Sequence, residues 1–342
     1  MIHAGRVLRA PPLREPLDPE PPATFSIVIA AYQAAGTIAE AIESALAQTR
    51  PALEIIVCDD GSTDELDSAL EPYRDAIVLV RKENGGEASA KNAAAAVVRG
   101  EFVAVLDADD AYLPERIEAL AELSAARPDL DILCTDASLE VDGRVVGRFE
   151  EGCPFAVEDQ RAAILDRCFC VASAYRRTTL LEVGGFDESL RTGSDWECLI
   201  RLFLDAGASA GLVDEPLYRY RLHRQSLTAR RLDTLRDRLT LLGRAGQRSD
   251  LSAGERAVLA RSVARQQAAL VVTEAEAALR SRSPDARARA LAAARERTVP
   301  LRSRAAAFAA ALAPGAAARA LARRDARGGH SWLDRTTRHR HA

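Results

Sequence analysis

The chain has 342 residues, 48% of them hydrophobic and 28% charged, with a formal net charge of −4. That is the balance of a soluble globular protein with room for one sizeable core and an appendage. It hides a division: residues 1–229 hold 22 Lys and Arg against 40 acids, whereas Arg230 to the end holds 24 Arg against 10. An acidic body (−18) thus precedes a basic tail (+14), which points to two separate jobs. No stretch reaches the ~18–20 uninterrupted apolar residues of a membrane span. The nearest, "AAAFAAALAPGAAARAL", is mostly alanine and is broken by Pro314 and Gly315. The expectation is a soluble chain, at most a peripheral one.

Taken in chain order, residues 1–24 lack an apolar signal region and read as a proline-rich, disordered lead-in, "APPLREPLDPEPP". Order is predicted from "FSIVIAAY", a buried strand, followed by a helix in which Thr37 and Glu40 have capping-box spacing. A second strand, Ile55 to Cys58, leads through a Gly61 turn to a helix capped from the Ser62–Asp64 cluster. "AIVLVRKE" is a third strand, and "ASAKNAAAAVVRG" a helix closed by Gly100. "EFVAVLD" is a fourth strand, after which Pro114 opens a helix. Alternating strands and helices with continuous apolar strands predict an α/β fold, a Rossmann-like, mostly parallel sheet sandwiched by helices. Beyond Pro128 come a hairpin around Asp142–Gly143, a helical "TTLLEVGGF", and a helix in "GSDWECLIRLFLDAG" with Cys198, Leu199, Leu202 and Phe203 inward. "LVDEPLYRYRLH" is a last strand-like segment. Past it, Ala/Arg-rich helical hairpins are expected to about residue 325, interrupted at Gly243, Ser283–Pro284 and Pro300.

The six cysteines form no CxxC pair and no zinc spacing, as expected of buried thiols in a reducing cytoplasm. The GxGxxG and GxxxxGK[ST] fingerprints are absent. The acids carry more information. In an open parallel sheet ligands gather at the carboxyl ends of the strands, and both acidic clusters fall there: Asp59–Asp60 after one strand, Asp107 and Asp109 after another. Two carboxylates separated by one residue suit a hard divalent ion completed by substrate phosphates; equally, Asp110 and its neighbours can cap a helix. Asp59 and Asp60 exceed what capping needs and can accept a base N–H or a ribose O–H. Between the clusters, "RKENGGEASAKN" brings Lys91 near a helix start, where an anion can be met or a plain loop formed.

Together "SIVIAAYQAAGTIAEAIESALAQT", "EIIVCDDGSTD", "ENGGEASAKNAA", "FVAVLDADDAYLPERI", "GGFDESLRTGSDWECLIRL" and "YRYRLH" resemble the family-2 glycosyltransferases of GT-A fold. Their order and spacing span about Phe25 to Thr228, about three fifths of the chain. The resemblance implies a catalytic domain over 25–228 and a separate basic helical region over 229–342. It implies a donor site of Ala30, Tyr32 stacking on the base, Asp59 and Asp60 reading a uracil-type N–H, Lys91, and Asp107 facing the ribose. Asp109 and His223 would attend a Mn²⁺ or Mg²⁺ ion on the donor diphosphate. "SDWE" stands at the family's Glu-Asp-Trp-type motif, so Asp195 resembles the catalytic base, with Ser194 where an acid is frequent and Lys91 where arginine is common. Trp196 is expected as packing, and Asp187 as a loop-shaping residue.

The implied activity is inverting transfer from a nucleotide-diphospho-sugar, UDP- rather than GDP- or dTDP-linked, to a cell-envelope glycan or lipid-linked acceptor. A sugar nucleotidyltransferase and a non-catalytic nucleotide-sugar-binding scaffold remain the alternatives. The implied place is the cytoplasm, or the inner face of the cell membrane. The basic tail can lie on an anionic membrane surface or pack on the catalytic domain or a second subunit; nucleic acid is not expected, for want of a binding module.

Overall fold

The computed structural model describes residues 2–3, 5–13, 21–222 and 231–326. It forms two compact units, Met1–Ile164 with Cys168–Arg224, and Leu165–Arg167 with Gln225–Ala342. The first unit carries a mixed sheet. Its strands are β1 (Ile2–His3), β2 (Arg6–Arg9), β3 (Phe25–Ala31), β4 (Glu54–Asp59), β5 (Val78–Arg81), β6 (Phe102–Asp107), β7 (Ala111–Tyr112), β8 (Ile132–Val141), β9 (Arg144–Arg148), β10 (Ala174–Arg176) and β11 (Ala210–Arg221). The order is β1-β2-β11-β8-β10-β6-β3-β4-β5, with β7 on β11 and β9 on β8. The run β6-β3-β4-β5 is parallel, as the buried, unalternating strands require; β10 runs antiparallel between β6 and β8. Helices α1 (Ile38–Leu46), α2 (Leu66–Leu70), α3 (Glu87–Ala95) and α4 (Arg116–Ala126) connect these strands. Ile38, Ile42, Ile117 and Leu120 join Ile27, Ile29, Phe102 and Leu106 in one core.

Four local expectations are corrected. The lead-in was expected to be disordered, yet β2 pairs antiparallel with β11 and buries Leu8, while Arg6 pairs with Glu122 and Glu215. An open sheet edge offers unpaired backbone groups, and "RVLR" precedes the prolines whose composition had coloured the whole segment. Residues 14–20 of that segment lie outside the described residues. The capping box at α1 does not form: Thr37 makes no side-chain cap, and Glu40 pairs instead with Arg219 and Arg221. Asp64 does not cap α2; it accepts the Ala35 N–H at 2.9 Å, tying the loop after β3 to the loop after β4. Gly243 does not interrupt its helix, which runs from Arg231 to Gly246.

Gly100 has a different reason from the one expected. It lies past the end of α3, whose cap is Ala96, and serves close backbone approach: a Cβ there would meet the Ser26 nitrogen at 2.6 Å. Backbone cannot step aside as a flexible side chain can. Gly100→Ala should therefore cost about 1–3 kcal/mol, read as a lower urea midpoint at unchanged slope.

The Asp142–Gly143 hairpin is present, with both residues at positive φ as a type I′ turn demands. Short helices α5 (Phe149–Gly152), α6 (Gln160–Asp166) and α7 (Arg177–Glu182) precede α8 (Ser194–Leu204), which buries Cys198, Leu199, Leu202 and Phe203 as predicted. The second unit holds α9 (Arg231–Gly246), α10 (Ala253–Arg280), α11 (Ala286–Arg295), α12 (Leu301–Leu312) and α13 (Pro314–Ala326). Ser252 and Glu255 form a reciprocal capping box at α10. All six cysteines are free, four of them buried. Among the described residues no single helix is long and apolar enough to cross a membrane.

Candidate active site

Strand register builds the site. Ala30 of β3 pairs with Asp107 of β6, and Ala31 pairs with Asp59 of β4. Neighbouring strands lie about 4.8 Å apart, so the two acidic clusters flank one small-residue strand end. Tyr32, the next residue of that strand end, is exposed. The convergence expected from the sequence is thus a direct result of parallel pairing.

Lys91 ties the acids together. It sits on α3 with 1% of its surface exposed, and its ammonium lies 3.1 Å from Asp195 and 3.5 Å from Asp107, with Glu87 of the preceding turn as a third partner. Burial alone would pull the proton off this lysine; Asp195, Glu87 and Asp107 override it and hold its pKa well above the ordinary lysine range. Lys91 therefore faces carboxylates of the protein. Asp195 lies in the first turn of α8, and its side chain keeps 44% of its surface open. Asn92, one residue on from Lys91, donates to the Phe186 carbonyl and to Glu188 and accepts the Phe186 N–H. Helix α3 so holds the "GGFDE" loop as well as the acid of α8.

Asp60 is bonded within the protein. It is 1% exposed and accepts from the Gly85 and Gly86 N–H groups at 3.0 and 2.8 Å and from the Lys82 ammonium at 2.8 Å. An ionised carboxylate has about four acceptor positions, so three are used in shaping the glycine loop. Gly86 sits at φ +93°, where a side chain would be strained. Asp59 is half-buried, and its carboxylate accepts the Ser62 N–H.

In "DADD" the three acids have distinct settings. Asp107 keeps 35% of its side chain open, yet burial of its carboxyl pushes its pKa up to about 7, opposed by Lys91 and aided by Glu87, Asp195 and Asp109. Asp109 is half-buried, and its carbonyl accepts from Arg221. Asp110 is buried and accepts from the Tyr218 hydroxyl and the Arg221 N–H, both at 2.7 Å, so it anchors the loop to β11 rather than capping α4. Burial, with Asp107 and Asp109 beside it, raises its pKa well above the carboxylate range.

Among the described residues no three His, Cys, Asp or Glu gather as a metal-binding group. Asp107 and Asp109 nonetheless supply oxygen donors where negative charge is crowded. This fits a hard divalent ion whose other positions are filled by a ligand's phosphates and water. His223 lies outside the described residues. Trp196 is buried and donates its indole N–H to the Ile164 carbonyl, a packing role; Asp187 shapes its loop by accepting the Ser189 N–H. Sequence reading missed Glu87, Lys82 and the Glu40–Arg219–Arg221 network. The Glu87–Lys91 spacing of four on a helix was a readable signal; the others depend on long-range contacts.

The model of glycosyl transferase family 2 matches residues 26–184. The uncharacterized glycosyltransferase RT0329 of Rickettsia typhi is 32% identical over 62% of this chain and 68% of its own length. Chondroitin synthase of Escherichia coli is 29% identical over 61% of this chain, which spans only 30% of that protein. S. aureus TarS in complex with UDP-GlcNAc superposes with a TM-score of 0.61 at 20% identity, covering 89% of this chain and 92% of that one. The mannosyltransferase PcManGT of Pyrobaculum calidifontis, in complex with GDP-Man and Mn²⁺, gives 0.58 at 21% identity over 95% and 87%. At such identities the two structures establish the fold, an α/β GT-A architecture with a helical C-terminal region. With that fold, the family match and the Rickettsia relative, the chain belongs to glycosyl transferase family 2 and is a glycosyltransferase.

Proposed function

We propose that the enzyme transfers a sugar from a UDP-linked donor to a hydroxyl of a cell-envelope glycan or glycolipid, with inversion at the anomeric carbon. The observation that carries the reading is the shared ammonium of Lys91, which joins the acid at the end of β6 to the acid at the start of α8. The first is suited to the donor, the second to the acceptor, and a displacement needs both in one cleft. Support for a nucleotide-diphospho-sugar donor comes from TarS with UDP-GlcNAc and PcManGT with GDP-Man; support for a glycan acceptor comes from the chondroitin synthase match.

In this reading Tyr32 stacks on the base, Asp60 with Asp59 reads its N–H, Ala30 lines the nucleoside, Lys91 stands beside Asp107 on the donor side and Asp107 takes the ribose. Asp109, with His223, would hold a Mn²⁺ or Mg²⁺ ion, which when bound stabilises negative charge on the departing diphosphate. Asp195 accepts the proton of the acceptor hydroxyl as the new bond forms. A thermal-shift screen of UDP-, GDP- and dTDP-sugars, each with and without Mn²⁺, tests the donor. The expected result is stabilisation by UDP-sugars that Mn²⁺ enhances; a response to none of them removes the reading.

Asp109→Ala should weaken UDP binding in Mn²⁺ by about tenfold or more and have little effect in EDTA, since losing even an outer-shell partner of a metal ligand typically costs about 10–100-fold. Titration calorimetry with and without the ion checks this. Equal affinities for both proteins in Mn²⁺ would take Asp109 out of the metal site.

A further inference from the structure

The second unit carries an apolar surface built from none of the candidate active-site residues. On α12, Leu301, Phe308 and Leu312 are 78%, 52% and 66% exposed, and Ala305 is exposed between them. At about 100° per residue these four positions fall within about 60° of one another, so they form one stripe. A stripe of large apolar side chains facing water is unusual on a helix whose other face already packs, as buried Ala311 shows. Arg302 and Arg304 flank it on either side. A groove of about 320 Å³ opens alongside, lined by Leu291, Leu301 and Phe308 with Arg295 and Arg304.

The surrounding charge is predominantly positive. Residues 285–326, from the cap of α11 to the end of α13, contain nine Arg against two Asp and one Glu. Arg287, Arg295, Arg297 and Arg302 are exposed. A second copy docking through the same face would bring these arginines against themselves. A nucleic acid would find phosphate contacts, but the stripe offers one aromatic ring and otherwise aliphatic carbon. An anionic bilayer satisfies both features: arginines meet headgroup phosphates while the apolar stripe enters the acyl boundary.

We propose that α12 is an interfacial anchor that lies flat on an anionic membrane surface, with Leu301, Phe308 and Leu312 inserted and the exposed arginines around them, Arg295, Arg297 and Arg302, at the headgroups. The anchor does not depend on which sugar or acceptor the catalytic unit uses.

The test is flotation of the full chain with vesicles of phosphatidylcholine, alone or with about one third phosphatidylglycerol. Binding is expected only to the anionic vesicles, weakening as salt rises. Leu301→Ser/Phe308→Ser/Leu312→Ser should lower partitioning by about tenfold or more, because the apolar area that enters the lipid is removed. Its melting temperature should stay near wild type, since the replaced side chains face solvent. Phe308→Trp in the otherwise unaltered chain gives a second readout: a blue-shifted emission, quenched by brominated lipid, on anionic vesicles. Absence of that shift, or equal flotation of the triple variant, overturns the proposal. So does a dimer in sedimentation velocity that Phe308→Ser dissolves while no vesicle binding is seen.

Discussion

Asp195→Asn should lower turnover by about 10²–10⁴-fold while donor affinity stays within about twofold. Asparagine keeps the shape and one oxygen for the Lys91 ammonium, so α8 retains its place against α3. It cannot take a proton, and the acceptor hydroxyl would have to attack without a base. Because the lost interaction belongs to the transition state, turnover and turnover over KM should fall together. Release of UDP, followed by a coupled assay, gives the rate; calorimetry with UDP gives the affinity. Wild-type turnover in the variant would remove Asp195 from catalysis. Lost donor binding with an unchanged melting temperature would move it to the donor side.

That prediction was framed by residues legible in the sequence, and its geometry was not. Strand ends could be placed because Ile27–Ile29, Ile55–Cys58 and Phe102–Leu106 are apolar without alternation, which only strands buried on both faces tolerate. Parallel pairing then puts Asp59 and Asp107 on either side of β3. The α8 acid was reachable only through resemblance, since Asp195 at a helix start, taken alone, reads more readily as a cap. What failed was the side-chain hydrogen bonding of polar residues. Glu40, Asp64 and Asp110 each stand where a helix cap would be read, and each is claimed by a partner distant in sequence: Arg221, the Ala35 N–H and Tyr218. Local spacing fixes which bonds a polar side chain can make; tertiary contacts decide which it does make.

Asp60 and Lys91 show the same competition at the site itself. Acid and base types at both positions match what a nucleotide presents. The fold uses them first on itself: Asp60 closes the glycine loop onto Lys82, and Lys91 neutralises acids from β6 and α8. A cleft that concentrates carboxylates must hold them against mutual repulsion before any cation or substrate arrives, and Lys82 and Lys91 supply that restraint.

Lys91→Met should therefore act on stability and turnover together. The thioether keeps the buried stem packed but removes the charge that Glu87, Asp107 and Asp195 share. Breaking a wholly buried pair costs about 3–5 kcal/mol. The three carboxylates here keep 27%, 35% and 44% of their side chains open to water, so they can rehydrate. The loss should be discounted to about 1–3 kcal/mol, seen in the urea midpoint. Turnover should fall by about 10²-fold, because a base turned away by even ~1 Å loses its reach. Lys91→Arg, which restores the charge and the donors, should recover most of both losses; a methionine variant with wild-type midpoint and rate would show that the acids of β6 and α8 hold their places without this cation.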